Sequence, residues 1–219
     1  MGVTPAIRLI VGLGNPGSEY AQHRHNAGYW FIDRIAAGAQ VMLRAEPRFG
    51  GQMGRAMIAG NAVWLLQPTR FMNLSGQSIA ALAHFHRFEP TQIVVAHDDL
   101  DLPPGAARLK FGGGSGGHNG LKDTTAALGT DGYWRLRLGI GHPRELYAGH
   151  KEVAAFVLER PSREQQESID LAIDRALAIV PLLVGGAIER AAQRLHTKAK
   201  PNTAQAPKNA QPSHNTDLA

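Results

Sequence analysis

The 219-residue chain contains no cysteine, which excludes disulfides and thiolate metal sites and suits a reducing cytoplasm. No apolar run approaches the ~18 residues that a membrane span requires. The N-terminus, Met1-Gly2-Val3-Thr4-Pro5-Ala6-Ile7-Arg8, lacks a charged head followed by a long apolar segment. No export signal is read there, and a cytoplasmic location is expected. There is no internal repeat, no serine in a nucleophile elbow and no HExxH spacing to hold a metal. What remains is a composition 43% hydrophobic and 19% charged, which fits an ordinary globular protein with enough length for one core.

Net charge is +5, from 23 basic and 18 acidic residues; this permits nucleic-acid binding without demanding it. Its distribution says more. Between Gly105 and Lys151, seven basic residues (Arg108, Lys110, Lys122, Arg135, Arg137, Arg144 and Lys151) face only Asp123, Asp131 and Glu145. Beside a glycine-rich loop, that excess marks a candidate phosphate surface. After Thr197 the composition shifts to Pro, Asn, Gln, Lys and Ala without apolar periodicity. A disordered polar tail is therefore expected over 197–219, leaving one domain over 1–196.

Within that domain, strands and helices alternate. Ile7 to Leu13, Ile93 to Ala96, Ala107 to Phe111 and Trp134 to Ile140 read as strands. Gly54 to Ala59 and Ala62 to Leu66, joined at Gly60-Asn61, read as a hairpin. Helices are expected from His25 or Asn26 to about Ala37, from Leu74 to His86, and near Asn119 to Leu128. Ser162-Arg163-Glu164-Gln165 fits a capping box opening a long helical segment to His196, which Pro181 and Gly185-Gly186 should kink or break. The sum is an α/β fold, a single domain with a mixed twisted β-sheet flanked by helices. Asn15, Asn73 and Asp98 then lie just past, or one short loop beyond, the carboxyl ends of strands, the edge where open α/β sheets bind ligands.

Four segments carry chemistry at that edge. Gly12-Leu13-Gly14-Asn15-Pro16-Gly17 matches the dinucleotide spacing, but Pro16 removes an N–H from the turn and no acidic residue follows about 20 positions on at a strand end. A substrate-binding turn is the better reading. His25 lies near a helix start, where an imidazole stays neutral, while a neighbouring carboxylate would raise its pKa. Asp98 is placed to fix its tautomer, leaving the other ring nitrogen to take a proton from water. Of the acidic string Asp98, Asp99 and Asp101, one carboxylate works and two cap turns or face solvent. His84 and His86 point to different helix faces, so no metal is expected. The run Gly112 to Gly120 resembles a backbone cradle for phosphate, closed by His118 and Asn119.

Taken together, GLGNPG, RHNAG, FMNLSG, HDDLDLP, GGGSGGHNG and RLRLGIGHP resemble the bacterial-type peptidyl-tRNA hydrolase family, over Ile7 to about His196. The resemblance implies hydrolysis of the ester between a peptide, or N-blocked aminoacyl group, and the 3′-terminal ribose of tRNA. It also implies a monomer without metal or cofactor that meets the acceptor stem and 3′ end and no membrane. By motif, His25 is the implied base, Asp98 its orienting partner, and Asn119 the group that positions water or stabilises the oxyanion. Asn15 and Asn73 are implied to hold the peptide backbone and reacting carbonyl. Tyr20 and Met72 would line the cleft near the terminal nucleotide, with His118 close by. Lys110 and Arg137, with Arg108 as a third candidate, match a tRNA phosphate clamp. The alternatives are an RNA-binding protein of the same fold without catalysis, like the related chloroplast splicing factors, and a nucleotide-dependent oxidoreductase.

Overall fold

Successive side chains of a strand point to opposite faces of its sheet, and in β1 (Leu9–Gly12) every residue is buried. Both faces of the sheet must therefore be covered. The structure, a computed structural model, describes residues 5–146 and 152–197. Within them lies a seven-stranded sheet of order β2-β3-β4-β1-β5-β7-β6. The further strands are β2 (Arg44–Glu46), β3 (Gly51–Ile58), β4 (Asn61–Pro68), β5 (Ile93–Asp99), β6 (Ala107–Phe111) and β7 (Trp134–Gly139). β4, β1, β5 and β7 run parallel, while β2, β3 and β6 join them by antiparallel pairings. The mixed sheet of a single α/β domain is as expected.

Helices cover each face. Ile10, Ala96 and Leu136 pack beneath α1 (Ala27–Gly38), α6 (Arg163–Leu177), α7 (Val180–Val184) and α8 (Ile188–His196). Leu9, Val11 and Val95 pack beneath α2 (Ser75–His86), with Leu121 of α3 (Asn119–Leu128) in the same cluster. Two short helices, α4 (Pro143–Leu146) and α5 (Val153–Val157), precede α6.

The structure corrects several boundaries. β5 runs on through His97, Asp98 and Asp99, because β7 pairs with those residues as far as Gly139; pairing overrides the low strand propensity of aspartate. The hairpin turns on Ala59 and Gly60, both at positive φ (48° and 77°), the conformation a two-residue type I′ connection needs. Strand β2 was not expected. The capping box at Ser162 and Gln165 forms, but the helix stops at Leu177, and Pro181 sits in the first turn of α7, where its missing N–H costs no hydrogen bond. The tail beyond Thr197 lies outside the described residues.

One close approach brings the sheet edge and α1 together. A Cβ on Gly12 would lie 2.1 Å from the Gly28 carbonyl oxygen, and one on Gly28 would lie 2.4 Å from both the Ala96 oxygen and the Leu13 nitrogen. Backbone meets backbone there, so only glycine fits at either position. This approach sets the short 3-10 turn Arg24–Asn26 against the end of β5. We expect Gly28→Ala to cost about 1–3 kcal/mol through overpacking, lowering Tm by roughly 2–12 °C at ~2–4 °C per kcal/mol. An unchanged melting curve would show that the helix can shift freely.

Candidate active site

Asp98 is the centre of the site. Its carboxylate is 3% exposed and lies at the carboxyl end of β5. His25 Nδ1 stands 2.9 and 3.0 Å from its two oxygens, and His118 Nε2 stands 3.0 Å from Oδ1. His118 also caps α3, its Nδ1 accepting from the backbone N–H groups of Gly120 and Leu121 at 3.1 and 3.3 Å. That choice fixes the tautomers. With the Nδ1 lone pair of His118 in use, its Nε2 carries the proton and donates to Asp98. His25 likewise donates from Nδ1, so its Nε2 keeps a lone pair.

One potential ligand atom from each of His25, Asp98 and His118 lies within 4.8 Å of the others, close enough to suggest a metal triad. The chemistry does not fit one. A metal needs lone pairs at its centre, whereas both imidazoles aim protons there.

Burial alone would depress the His25 pKa, but the Asp98 charge and hydrogen bond outweigh it and raise the group above its ordinary 6.5. Burial would raise Asp98, yet the two imidazoles hold it well below the usual carboxylate range. His97, buried beside them, donates from Nδ1 to the Asp98 carbonyl oxygen at 2.7 Å. Burial, then His118, pushes its pKa down to about 4.

A cavity of about 490 Å³ opens over this cluster, walled by His25, Asp98, His118, Asn119, His142 and Val157 among others. Four of the expected site residues thus meet in one wall. Asn119 is exposed there, at the first position of α3.

The other four expected cleft residues form a second group. Asn15 Oδ1 accepts from the Met72 N–H at 2.8 Å. Its own backbone is clasped by Asn26, with Asn15 N–H donating to Asn26 Oδ1 at 3.0 Å and Asn26 Nδ2 donating to the Asn15 carbonyl at 2.9 Å. Asn73 lies exposed in the adjoining 3-10 turn Met72–Leu74, and Tyr20 packs edge-on to Phe71 with ring centroids 6.3 Å apart. Met72 is 4% exposed, its sulfur filling the space beside Gly120. The turn from Gly12 to Gly17 does not open a helix, since α1 begins only at Ala27, so the dinucleotide fingerprint lacks its structural context.

Comparison with known proteins decides the family. The peptidyl-tRNA hydrolase family model matches residues 9–203. The chain is 48% identical to peptidyl-tRNA hydrolase from Acinetobacter baumannii, covering 86% of this chain and 94% of that one with a TM-score of 0.82. An arginine-to-glutamine variant of the hydrolase from the same organism gives 47% identity, 89% and 96% coverage and a TM-score of 0.83. The chain belongs to the peptidyl-tRNA hydrolase family. It is an enzyme that hydrolyses peptidyl-tRNA and so releases tRNA. Among the described residues, no helix is long and apolar enough to cross a membrane.

The hydrolase carries its basic face on β6 and β7. Arg108 pairs across the strands with Arg137, and Lys110 with Arg135, which places all four on one side of the ribbon. Lys110 is exposed. Arg137 is oriented by Asp99, which it meets through Nε at 2.6 Å and Nη2 at 3.1 Å. Arg135 was only part of the charge count in the sequence, yet its Nη1 donates to the Gly114 carbonyl at 2.5 Å and ties β7 to the glycine-rich loop. The loop then returns to the site, as the Ser115 carbonyl accepts from His118 N–H at 2.9 Å. Asn26 and His142 were also missed. Asn26 follows His25 in the RHNAG motif, and His142 lies just past β7 in RLRLGIGHP, so each stood in a motif that offered a signal.

Asn26→Asp keeps the acceptor for Asn15 but turns a donor into an oxygen facing the Asn15 carbonyl. We expect a loss of about 1–3 kcal/mol, read as a lower urea midpoint. A wild-type midpoint would mean that the turn does not depend on this clasp.

Proposed function

We propose that His25 is the general base of the hydrolysis and that Asp98 holds it ready. One observation carries this reading: His25 Nδ1 is committed to Asp98, so the free Nε2 is the ring nitrogen available to water in the cavity. In this mechanism Nε2 takes a proton as the water oxygen attacks the ester carbonyl. The resulting oxyanion is met by the side-chain amide of Asn119, and Asn15 and Asn73 hold the peptide on the adjoining rim. The tetrahedral species then collapses, the bond to the 3′ oxygen of the ribose breaks, and the leaving oxygen receives the proton from His25. One lost oxyanion donor typically costs roughly 100- to 1,000-fold in rate. His118 serves the base indirectly, through the second hydrogen bond to Asp98.

Lys110 and Arg137 are proposed to meet phosphates of the acceptor stem, with Arg108 beside them. The enzyme needs no cofactor in this scheme.

His25→Ala should abolish release of N-acetyl-aminoacyl groups from tRNA while leaving tRNA affinity near wild type; retained turnover would remove His25 as the base. The acid limb of kcat/KM should lie above pH 6.5, because the base must be neutral and its pKa is raised. In Asp98→Asn the raising charge is gone and burial remains, so the limb should move to lower pH as the rate falls. A limb that stays in place would separate Asp98 from the base.

For the phosphate clamp, Lys110→Ala or Arg137→Ala should each flatten the salt dependence of tRNA binding, by about one unit of slope for every phosphate the side chain neutralises. An unchanged slope would return that residue to the solvated surface.

A further inference from the structure

Of the four imidazoles that line the larger cavity among the described residues, three have their N–H groups committed around Asp98. His25 donates to its carboxylate from Nδ1 and His118 from Nε2, and His97 donates from Nδ1 to the Asp98 carbonyl. The fourth is His142, half-buried. Its Nδ1 accepts from the Arg144 N–H at 3.1 Å, so the proton of its neutral ring sits on Nε2. Among the described residues, nothing accepts from that Nε2–H. His118 caps α3 through Nδ1 in the same manner, but spends its Nε2–H on Asp98.

A tight turn delivers His142 to the cavity. Ile140 N–H donates to the Asp99 carbonyl at 3.0 Å and Gly141 N–H to the Leu102 carbonyl at 2.8 Å, so the chain leaving β7 is tied to the residue next to Asp98. Gly141 has a φ of 77°, and a Cβ there would lie 2.9 Å from Leu146 Cδ1 and 3.0 Å from Pro104 Cδ. Glycine makes that turn without strain. Pro143 then opens α4 at a position that needs no N–H donor. The His142 carbonyl accepts from the N–H groups of Glu145 and Leu146 at 3.0 and 3.1 Å. The residue is thus held at its backbone and at Nδ1.

Two consecutive residues face two cavities. His25 lines the one of about 490 Å³, whereas Asn26 lines a separate one of about 180 Å³ together with Asn15. On the reading that Asn15 and Asn73 hold the peptide and His25 directs the water, the alcohol side of the ester belongs in the larger cavity, with His142. We propose that the His142 Nε2–H hydrogen-bonds the 3′ oxygen of the leaving ribose and stabilises the charge that gathers there as the ester C–O bond breaks. His142 keeps its proton; the one that neutralises the oxygen comes from His25, which took it from water. The carboxylates of Asp98, Asp99 and Asp101 in the same cavity only accept, and Asn119 is given to the carbonyl oxyanion. Ser115 also lines the cavity, but its hydroxyl rotates, whereas an imidazole fixed at Nδ1 is preorganised to donate.

Two substitutions separate this role from capping. His142→Asn keeps an acceptor where Nδ1 stands, and Asn is among the strongest caps, but its side chain ends short of Nε2. His142→Gln carries an amide N–H to the place of Nε2 and gives up the cap. With the full chain and N-acetyl-aminoacyl-tRNA, the single-turnover rate should fall about 10- to 100-fold in His142→Asn, less than the roughly 100- to 1,000-fold of an oxyanion donor, because less charge collects on the leaving oxygen. Its Tm should be unchanged. His142→Gln should stay near the wild-type rate while its Tm falls. A second substrate, tRNA ending in 2′-deoxy-2′-fluoroadenosine, makes the leaving oxygen a weaker base, so the His142→Asn loss should shrink on it. A wild-type rate in His142→Asn would overturn the proposal. So would a greater loss in His142→Gln than in His142→Asn, the pattern of a cap alone, or an equal His142→Asn loss on both substrates. The readout is a ratio between variants, so it is independent of whether His25→Ala retains turnover.

Discussion

The carboxylate of Asp98 is buried at the end of a central strand, and an isolated charge there would cost several kcal/mol. Two imidazole N–H groups compensate it, and each comes from a different part of the chain. His25 approaches from the turn before α1, and His118 from the first turn of α3. The requirement to satisfy one carboxylate therefore fixes three elements relative to one another. It also fixes the protonation pattern, because His118 uses its other nitrogen to cap α3 and so must donate to Asp98. The same atoms that make the buried charge tolerable leave the Nε2 of His25 with its lone pair beside the cavity.

A second constraint operates at the backbone. Gly12 and Gly28 allow α1 to touch β1 and β5 directly, and the amides of Asn15 and Asn26 bind one turn to the next. Asn15 then bonds to Met72, which draws the start of α2 into the same edge. The polar atoms of these residues are mostly spent on one another, so the rim is stiff before any substrate arrives. Such preorganisation lowers the cost of aligning an ester with a water molecule. The glycine-rich loop receives a comparable brace from Arg135, which reaches out of β7 to the Gly114 carbonyl.

Much of this was legible from local signals. The apolar runs of β1 and β5, the capping box at Ser162, and the Asn119 start of α3 follow from short-range chemistry and stand where the sequence places them. The misreadings share a cause. Asp98 reads as a loop residue until β7 is seen to pair with it, and Ala59 is an unusual occupant of a left-handed turn position.

By itself, the sequence determined the fold class and the family and put forward the candidate reactive groups, because motif spacing and hydrophobic period are local properties written into neighbouring residues. The tertiary structure decided which groups share a proton and which ring nitrogen stays free. It also decided which arginine is neutralised by Asp99 and which braces a loop. Those outcomes depend on the spatial arrangement of atoms far apart in the chain, set by packing across the sheet, to which hydrogen bonds and charges respond regardless of sequence separation.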